Sequence, residues 1–205
     1  MLKSIKTSVI ALILVTTAIY AKGQKVIDQG TITYGMSYTL TDAQKAQIDV
    51  SMLPKETKVE FSGNLSRLKL QLGPAMITII DDAVAKNGVL LVDVPIAQKQ
   101  YAAKRTADFM EKEQGDTKYS NFKATGVKKV IAGYNAEQYT YTDQNGGSYE
   151  LWTTKDVQLA PGASIKGLKE IPGTLLQFTI VQNGAPSTLT VKAIKEGKIG
   201  PFSTA

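Results

Sequence analysis

The strict alternation of apolar and polar residues between Thr31 and Leu40 is the strongest constraint that this sequence places on its fold. Ile32 and every second residue after it are large and apolar, whereas the residues between them are Thr, Gly and Ser. Side chains of a β-strand point alternately to the two faces of a sheet, so this segment predicts a strand with one buried face. A shift of one residue would expose the whole apolar set, and the register is therefore well specified.

A β-hairpin is predicted near the middle of the chain. Two segments rich in β-branched and aromatic residues, Gly133–Asp143 and Ser148–Thr154, flank the dipeptide Asn145-Gly146. Asn-Gly favours tight turns because both residues tolerate positive φ. The same stretch holds the only Trp and four of the nine Tyr, which makes it the most aromatic part of the sequence.

Further segments with a period of two predict about nine or ten strands in all. Two of them, Ala75–Asp81 and Gly88–Val94, are apolar at nearly every position, which predicts that both of their faces are covered. The strands follow one another along the chain, as is typical of an antiparallel sheet rather than of βαβ units.

Two helices are predicted beside these strands. The first begins at a capping box formed by Thr41 and Gln44 and ends before Pro54. The second is expected over Lys99–Gln114, with Ala103, Ala107 and Met110 on one stripe. A long antiparallel sheet must curl or be covered to protect its core face. The expectation is therefore an α+β fold, in which a curved antiparallel sheet has its concave face covered by two helices.

The N-terminus has the features of an export signal. Lys3 and Lys6 precede the uncharged, mostly apolar run Ser8–Tyr20, and small residues follow at Ala21 and Gly23. This predicts a signal peptide over residues 1–23 and a single domain over residues 24–205. Cleavage after Ala21 and retention as a membrane anchor are the alternatives, although the run is shorter than the ~20 residues that a spanning helix needs. The predicted location is the periplasm or the exterior of a bacterial cell.

The composition excludes several classes of function. The chain has no His and no Cys, which removes Ser-His-Asp triads, thiol nucleophiles, disulfides and nearly all zinc sites. The formal charge is +6, and the lysines that raise it are scattered instead of concentrated on one face, unlike those of nucleic-acid-binding proteins. No metal, cofactor or nucleic-acid partner is predicted.

Other patterns that resemble catalytic motifs have simpler explanations. Two S-x-x-K matches, beginning at Ser66 and Ser120, fall in predicted strands, where a three-residue spacing puts Ser and Lys on opposite faces. Glu137 and Glu150 lie on the two arms of the hairpin, where they either face each other across a cleft or are ordinary surface carboxylates. No enzymatic activity is predicted.

The aromatic and apolar residues on the alternating strands are the candidates for a ligand-binding wall. They either fill the core or line a cavity, and buried Tyr and Trp need partners for their polar atoms. The candidate lining residues are Tyr34, Met36, Tyr38, Tyr139, Tyr141 and Trp152.

The hairpin region resembles a known family. Val130-Ile131-Ala132-Gly133-Tyr134, with Tyr139 and Tyr149–Lys155 (YELWTTK), is similar to the IAGY…Y…WxTK core of a domain-of-unknown-function family of exported bacterial envelope proteins. Ile171–Leu176 (IPGTLL) and Gly30–Tyr34 (GTITY) resemble elements of the related GLPGLI proteins. Ala136 departs from the pattern, because such proteins often have Cys there.

These families are similar to the LolA/LolB-like fold, which implies an incomplete barrel whose cavity takes lipid or the acyl chains of lipoproteins. No catalytic residues come with this resemblance. The leading hypothesis is a non-enzymatic protein that binds a hydrophobic or amphipathic ligand. The alternative is an interaction module with a filled core that pairs with an envelope protein.

Overall fold

The computed structural model of the protein describes residues 24–47, 49–113, 118–165, 167–168, 171–182 and 185–204. The predicted signal peptide over residues 1–23 lies outside these residues. Within them the fold is mainly β, with thirteen strands and two short α-helices. The strands are β1 (Lys25–Ile27), β2 (Gln29–Tyr38), β3 (Glu56–Ser62), β4 (Leu65–Leu72), β5 (Ala75–Asp82), β6 (Asn87–Val94), β7 (Lys99–Arg105), β8 (Tyr119–Ile131), β9 (Tyr134–Asp143), β10 (Ser148–Thr154), β11 (Val157–Leu159), β12 (Thr174–Gln182) and β13 (Ala185–Glu196).

Eleven of the strands form one curved antiparallel sheet that does not close into a barrel. Their order is β7-β6-β5-β4-β3-β2-β13-β12-β10-β9-β8, so β7 and β8 lie at the two edges. The predicted curved antiparallel sheet is confirmed, with eleven strands where about nine or ten were expected. Strands β3 to β6 form the predicted meander, and β7, which was predicted as part of a helix, extends it at the edge.

Most of the core lies on one face of this sheet, which we call the inner face. The alternating residues Ile32 and Tyr34 of β2 are buried there, beside Val191 of β13 and Phe178 of β12. The ring of Tyr34 meets that of Phe178 edge-on, with centroids 5.8 Å apart. The opposite face of the sheet is called the outer face.

A segment between β10 and β12 covers the inner face over the central strands. It consists of β11, which pairs in parallel with β1, and a short 3-10 helix at Pro161–Ala163. Leu168 and Ile171 follow and are both buried in the core. We call residues 157–171, as far as they are described, the cover. The N–H of Gly162 donates to the carbonyl oxygen of Gly63 at 2.8 Å, which fixes the cover to the β3–β4 turn.

The predicted α+β arrangement with two helices across the inner face is not confirmed, because the fold is mainly β and its two described helices are short. The first helix, α1 (Asp42–Gln47), has no buried residue, and a 3-10 turn at Val50–Met52 follows it. Its capping box is confirmed, because Thr41 N–H donates to Gln44 Oε1 at 2.9 Å and Gln44 N–H donates to Thr41 Oγ1 at 3.3 Å. Its stripe of small residues buries too little apolar surface to hold it against the sheet.

The second predicted helix is mostly a strand. Lys99–Arg105 forms β7, and only Ala107–Glu113 is helical, as α2. Lys99–Arg105 has the sequence KQYAAKR and is rich in helix formers, but every one of its residues pairs with β6, from Val94↔Lys99 to Gly88↔Arg105. Helix propensity is a weak preference that such pairing overrides.

The hairpin is confirmed as β9 and β10, but its turn differs from the predicted one. Gly146 has φ +82°, whereas Asn145 does not adopt positive φ. The carboxylate of Asp143 organises the turn instead, because it accepts hydrogen bonds from the N–H groups of Asn145 and Gly147 at 2.9 and 2.8 Å and from the Tyr149 hydroxyl at 2.9 Å.

This turn is expected to make stability depend on pH. Burial opposes ionisation of Asp143, but the hydrogen bonds from Gly147, Tyr149 and Asn145 outweigh it and hold the pKa below the usual 3.8. A carboxylate whose pKa is lower in the folded state than in the unfolded state stabilises the protein at neutral pH. That contribution is lost as the pH falls through the pKa of the folded state. The variant Asp143→Asn should therefore lose less stability than the wild type between pH 7 and pH 3, measured by urea unfolding. An identical pH dependence in both proteins would contradict this account.

Candidate ligand-binding face

An apolar strip on the inner face of β4 to β7 is the first candidate site. Leu70, Ile77, Val92 and Tyr101 are consecutive cross-strand partners, so their side chains lie on the same side of the sheet. A second row of cross-strand partners lies beside the first on the same face. It begins in the core at Ile32 and Val59 and continues outward to Leu68 and the strands beyond it. The members of this second row on the outlying strands are Leu68, Ile79, Leu90 and Ala103.

The strip is only partly covered. None of Leu68, Leu70, Ile77 or Val92 is buried, and Tyr101 is 56 % exposed. The prediction that both faces of these strands would be covered is therefore wrong. The reason is geometric: the 3-10 helix of the cover contacts β3 and β4, which lie nearer the centre of the sheet than β6 and β7.

Polar groups bound the strip at one end. Asp81 and Arg105 lie in the next row of the same face and form an ion pair. The outer face of the same strands is mixed, with Lys69, Met76 and Asp93 among its residues. The inner face of β4 to β7 is thus the apolar side of this part of the sheet, with charge at its margin.

A cavity of about 260 Å³ between the cover and the sheet is the second candidate site. Its walls combine polar and apolar groups and come from the cover and from the start of β12. Tyr34 of β2 also lines it. Ligand pockets usually measure about 300–1,000 Å³, so this cavity suits a small molecule or part of a larger one.

Two of the six predicted lining residues, Tyr34 and Tyr141, are buried side chains of the core. Tyr141 is surrounded by Tyr119, Phe122 and Tyr149, with ring centroids 5.3 to 5.7 Å away. Its hydroxyl donates to the carbonyl oxygen of Thr179 at 2.6 Å and accepts from the Thr179 N–H at 3.2 Å. Burial raises the pKa of both Tyr34 and Tyr141, which keeps both phenols protonated.

Three more predicted residues are half-buried on the inner face. Met36 and Tyr139 pack against the margin of the core. The hydroxyl of Tyr38 donates to the carbonyl oxygen of Pro54 at 2.8 Å. Of the six predicted residues, Tyr34 is the one that lines the 260 Å³ cavity.

Trp152 is also buried in the core cluster, but its side chain lies on the outer face of β10. Its cross-strand partners are Gln138 and Gln177, whereas the neighbouring Leu151 is paired with Tyr139 on the inner face. The ammonium of Lys129 lies 3.8 Å from the Trp152 ring centroid and donates to Gln177 Oε1 at 3.0 Å. Adjacent residues on a strand point in opposite directions, so the six residues do not form one wall.

The possible catalytic groups do not converge. Glu137 shares the inner face with Tyr139, and Glu150 shares the outer face with Trp152, because each pair is two residues apart on one strand. Within the described residues, no group of three or more Asp and Glu side chains is close enough to hold a metal ion. In the same part of the chain, no helix is long and apolar enough to cross a membrane.

Comparison with known families adds one finding. The sequence matches the domain of unknown function DUF4412 over residues 29–163 of 205. The chain belongs to the DUF4412 family. No curated protein matches the sequence. The region shared with DUF4412 runs from the start of β2 to the 3-10 helix of the cover, and it therefore contains the whole apolar strip and the hairpin.

The cover residues are the part of the site that sequence reasoning missed. Leu159, Ile165, Leu168 and Ile171 lie in a segment whose Pro161-Gly162 and Pro172-Gly173 dipeptides favour a loop and a turn. The signal that would have identified them is the recurrence of large apolar residues in a segment without helical or strand periodicity, since exposed loops rarely need them.

Proposed function

We propose that this DUF4412 protein is an exported, non-enzymatic binding protein for a hydrophobic or amphipathic ligand. The observation that carries the proposal is the apolar strip of β4 to β7, which continues the core face of the sheet and is only partly covered. Contiguous apolar surface left open to solvent is typical of sites that bind lipids or other proteins. The chemistry of the strip fits an acyl chain, with the polar end of the ligand near the Asp81–Arg105 ion pair.

Two features of the sequence support export and a lipid ligand. The basic and apolar leader over residues 1–23 suits secretion to the periplasm or the exterior. The likeness to GLPGLI proteins and to the LolA/LolB-like fold suggests a half-barrel that takes acyl chains on its inner face. The unclosed curved sheet agrees with such an architecture, although fold alone does not determine function.

A single substitution tests the proposed face. Lauric acid and lysophosphatidylcholine, each kept below its micelle-forming concentration, should bind the delipidated protein saturably in isothermal titration calorimetry. The variant Ile77→Asp puts a carboxylate in the centre of the strip, where an unpaired charge against an acyl chain is strongly unfavourable. We expect its affinity for lauric acid to fall by at least about tenfold.

The adjacent residue provides a matched control. Met76 precedes Ile77 on β5 and faces the outer side, where it is 39 % exposed, so Met76→Asp should bind as the wild type does. If Ile77→Asp fails to fold, Tyr101→Lys at the edge of the strip replaces it as the test variant. Equal losses in Met76→Asp and Ile77→Asp, or no saturable binding of either lipid by the wild type, would refute the proposal.

A protein partner is the second candidate, and a specific observation favours it. Val127 and Val130 on the edge strand β8 are 51 % and 67 % exposed, beside Lys128 and Lys129. An exposed edge strand can pair with a strand of another protein. This alternative predicts that the wild type recovers a specific envelope protein in a pull-down from the envelope fraction. The double variant Val127→Glu, Val130→Glu should no longer recover that protein and should bind lauric acid as the wild type does. Recovery unaffected by the double substitution would exclude this edge.

A further inference from the structure

The outer face of β2 to β5 has a pocket of about 380 Å³, which is within the range of small-molecule sites. Lys58 of β3 and Lys69 of β4 are cross-strand partners and both line it. The neighbouring Val59 and Leu68 belong to the inner face, and adjacent residues of a strand point to opposite sides of the sheet. This outer-face pocket is therefore separate from the apolar strip.

Lys58 and Lys69 bring two positive charges together in the outer-face pocket. Directly opposed residues of an antiparallel pair have Cβ atoms about 4.5–5.5 Å apart, and like charges in such a pair repel each other. In the part of the chain that the structure describes, no carboxylate lies within ion-pair distance of either lysine. An anion bound between the two ammonium groups would relieve their repulsion.

The carboxylates of the pocket do not cancel this charge. Glu60 accepts a hydrogen bond from Arg67 Nε at 2.6 Å and is neutralised by that ion pair. The guanidinium of Arg67 is in turn covered by the ring of Phe202, whose centroid lies 4.7 Å from Arg67 Cζ. Glu56 is the other carboxylate among the described lining residues, and it opposes the two lysines with a single negative charge.

A β-bulge directs a third ammonium group to the same face. The register between β13 and β2 shifts between Val191 and Ala193, so Lys192 is the extra residue of the bulge. Its side chain lies across Gly35 of β2, where a Cβ atom would come 2.5 Å from Lys192 Cε. Gly35 pairs with Glu56, which places this ammonium at the margin of the pocket. Three ammonium groups against one free carboxylate leave an excess of two positive charges.

We propose that the outer-face pocket binds a phosphate monoester, whose anionic group lies between the ammonium groups of Lys58, Lys69 and Lys192. A phosphate monoester has a charge of about −1.5 to −2 at pH 7 and three strong acceptor oxygens, which match the excess charge and the three donors. Lysine binds phosphate as a point charge. The site is independent of the ligand-binding function proposed for the strip, and the phosphate belongs either to a soluble molecule or to a lipid headgroup.

Glycerol 3-phosphate is the soluble probe for this site. It is titrated calorimetrically at pH 7 and constant ionic strength, so that the screening of surface charge does not change. The wild type should bind it saturably, and Lys58→Gln and Lys69→Gln should each bind it about tenfold more weakly, as expected for the loss of a hydrogen bond between charged groups. Lys104→Gln is the matched control, because it removes the same charge from an exposed position on the outer face of β7, and it should bind as the wild type does.

Three further variants give results that a purely structural role would not. Glu56→Gln removes the opposing carboxylate and should raise the affinity for glycerol 3-phosphate. Gly35→Ala retains every charge but displaces the Lys192 side chain, and it should lower the affinity; Lys192→Gln replaces it if it fails to fold. At low ionic strength without ligand, Lys69→Gln should melt at or above the wild-type temperature, because the repulsion between Lys58 and Lys69 is removed.

Vesicles of phosphatidylcholine with and without phosphatidic acid identify the source of the phosphate. Sedimentation with phosphatidic acid vesicles alone, reversed by glycerol 3-phosphate, would assign the site to a lipid headgroup. Binding of glycerol 3-phosphate without vesicle binding would assign it to a soluble monoester. No saturable binding of either probe, or equal affinities of Lys58→Gln, Lys69→Gln and Lys104→Gln, would overturn the inference. Ile77→Asp should bind glycerol 3-phosphate as the wild type does, so the outcome at this site is distinguishable from the outcome at the strip.

Discussion

Replacing Phe178 by alanine is expected to lower the free energy of unfolding by about 4 kcal/mol. Phe178 is 1 % exposed on the inner face of β12, where its ring is met edge-on by Tyr34. The substitution removes the transfer free energy of the ring and leaves a cavity between the strands and the cover that close-packed neighbours cannot fill. Urea unfolding followed by the fluorescence of Trp152 measures the effect.

Phe109 is the matched control for this substitution. It lies on α2 and is 46 % exposed, so Phe109→Ala should change stability by no more than about 0.5 kcal/mol. A loss below about 1 kcal/mol for Phe178→Ala would contradict a core centred on the β2–β13–β12 region.

The substitution Gly162→Ala is expected to destabilise the protein by about 2 kcal/mol. A Cβ atom on Gly162 would overlap the backbone carbonyl of Leu65 and would lie 3.0 Å from the carbonyl oxygen of Gly63. Because these are backbone atoms of the β3–β4 turn, the cover must move away from the sheet to relieve the overlap. We expect thermal unfolding at a lower temperature and faster amide hydrogen exchange in Val157–Ala163.

Gly197 is the matched control for Gly162. A Cβ atom there meets nothing within 4 Å, so Gly197→Ala should leave stability unchanged or slightly increased. Unaltered hydrogen exchange in the cover of Gly162→Ala would mean that the contact with the β3–β4 turn does not hold the cover in place.

The sheet was predictable where local alternation and tertiary pairing agree. Ile32 and Tyr34 are buried as the period of two in β2 requires, and β9 and β10 form the expected hairpin. In each case one face is strongly apolar, so that only one register buries it.

The errors have physical causes that a single sequence does not display. Lys99–Arg105 is composed of residues that favour helices, and only its pairing with β6 makes it a strand. The turn at Asp143 depends on a side chain that accepts three hydrogen bonds, and the dipeptide Asn145-Gly146 suggested a different geometry. Both depend on contacts that form only in the folded chain.

The candidate site was predicted less well than the fold. The alternation of apolar and polar residues placed Tyr34 on the inner face. It gave no indication that the Tyr141 hydroxyl forms hydrogen bonds with Thr179, or that the Trp152 side chain lies on the outer face. The aromatic residues are the distinctive ones in the sequence, whereas the partly open surface consists mainly of aliphatic residues on β4 to β7. Exposure of those residues depends on how far the cover extends, and the sequence does not encode that distance locally.

The most direct test of the proposed binding face is a measurement of contacts between a bound acyl chain and individual methyl groups. Protein deuterated except for its Ile, Leu and Val methyl groups is saturated with lauric acid, and intermolecular nuclear Overhauser effects are recorded. Binding of the acyl chain to the strip predicts contacts with the methyl groups of Ile77 and Val92 on the inner face. Contacts confined to Ile80 and Leu91 on the outer face, or none at saturation, would contradict it.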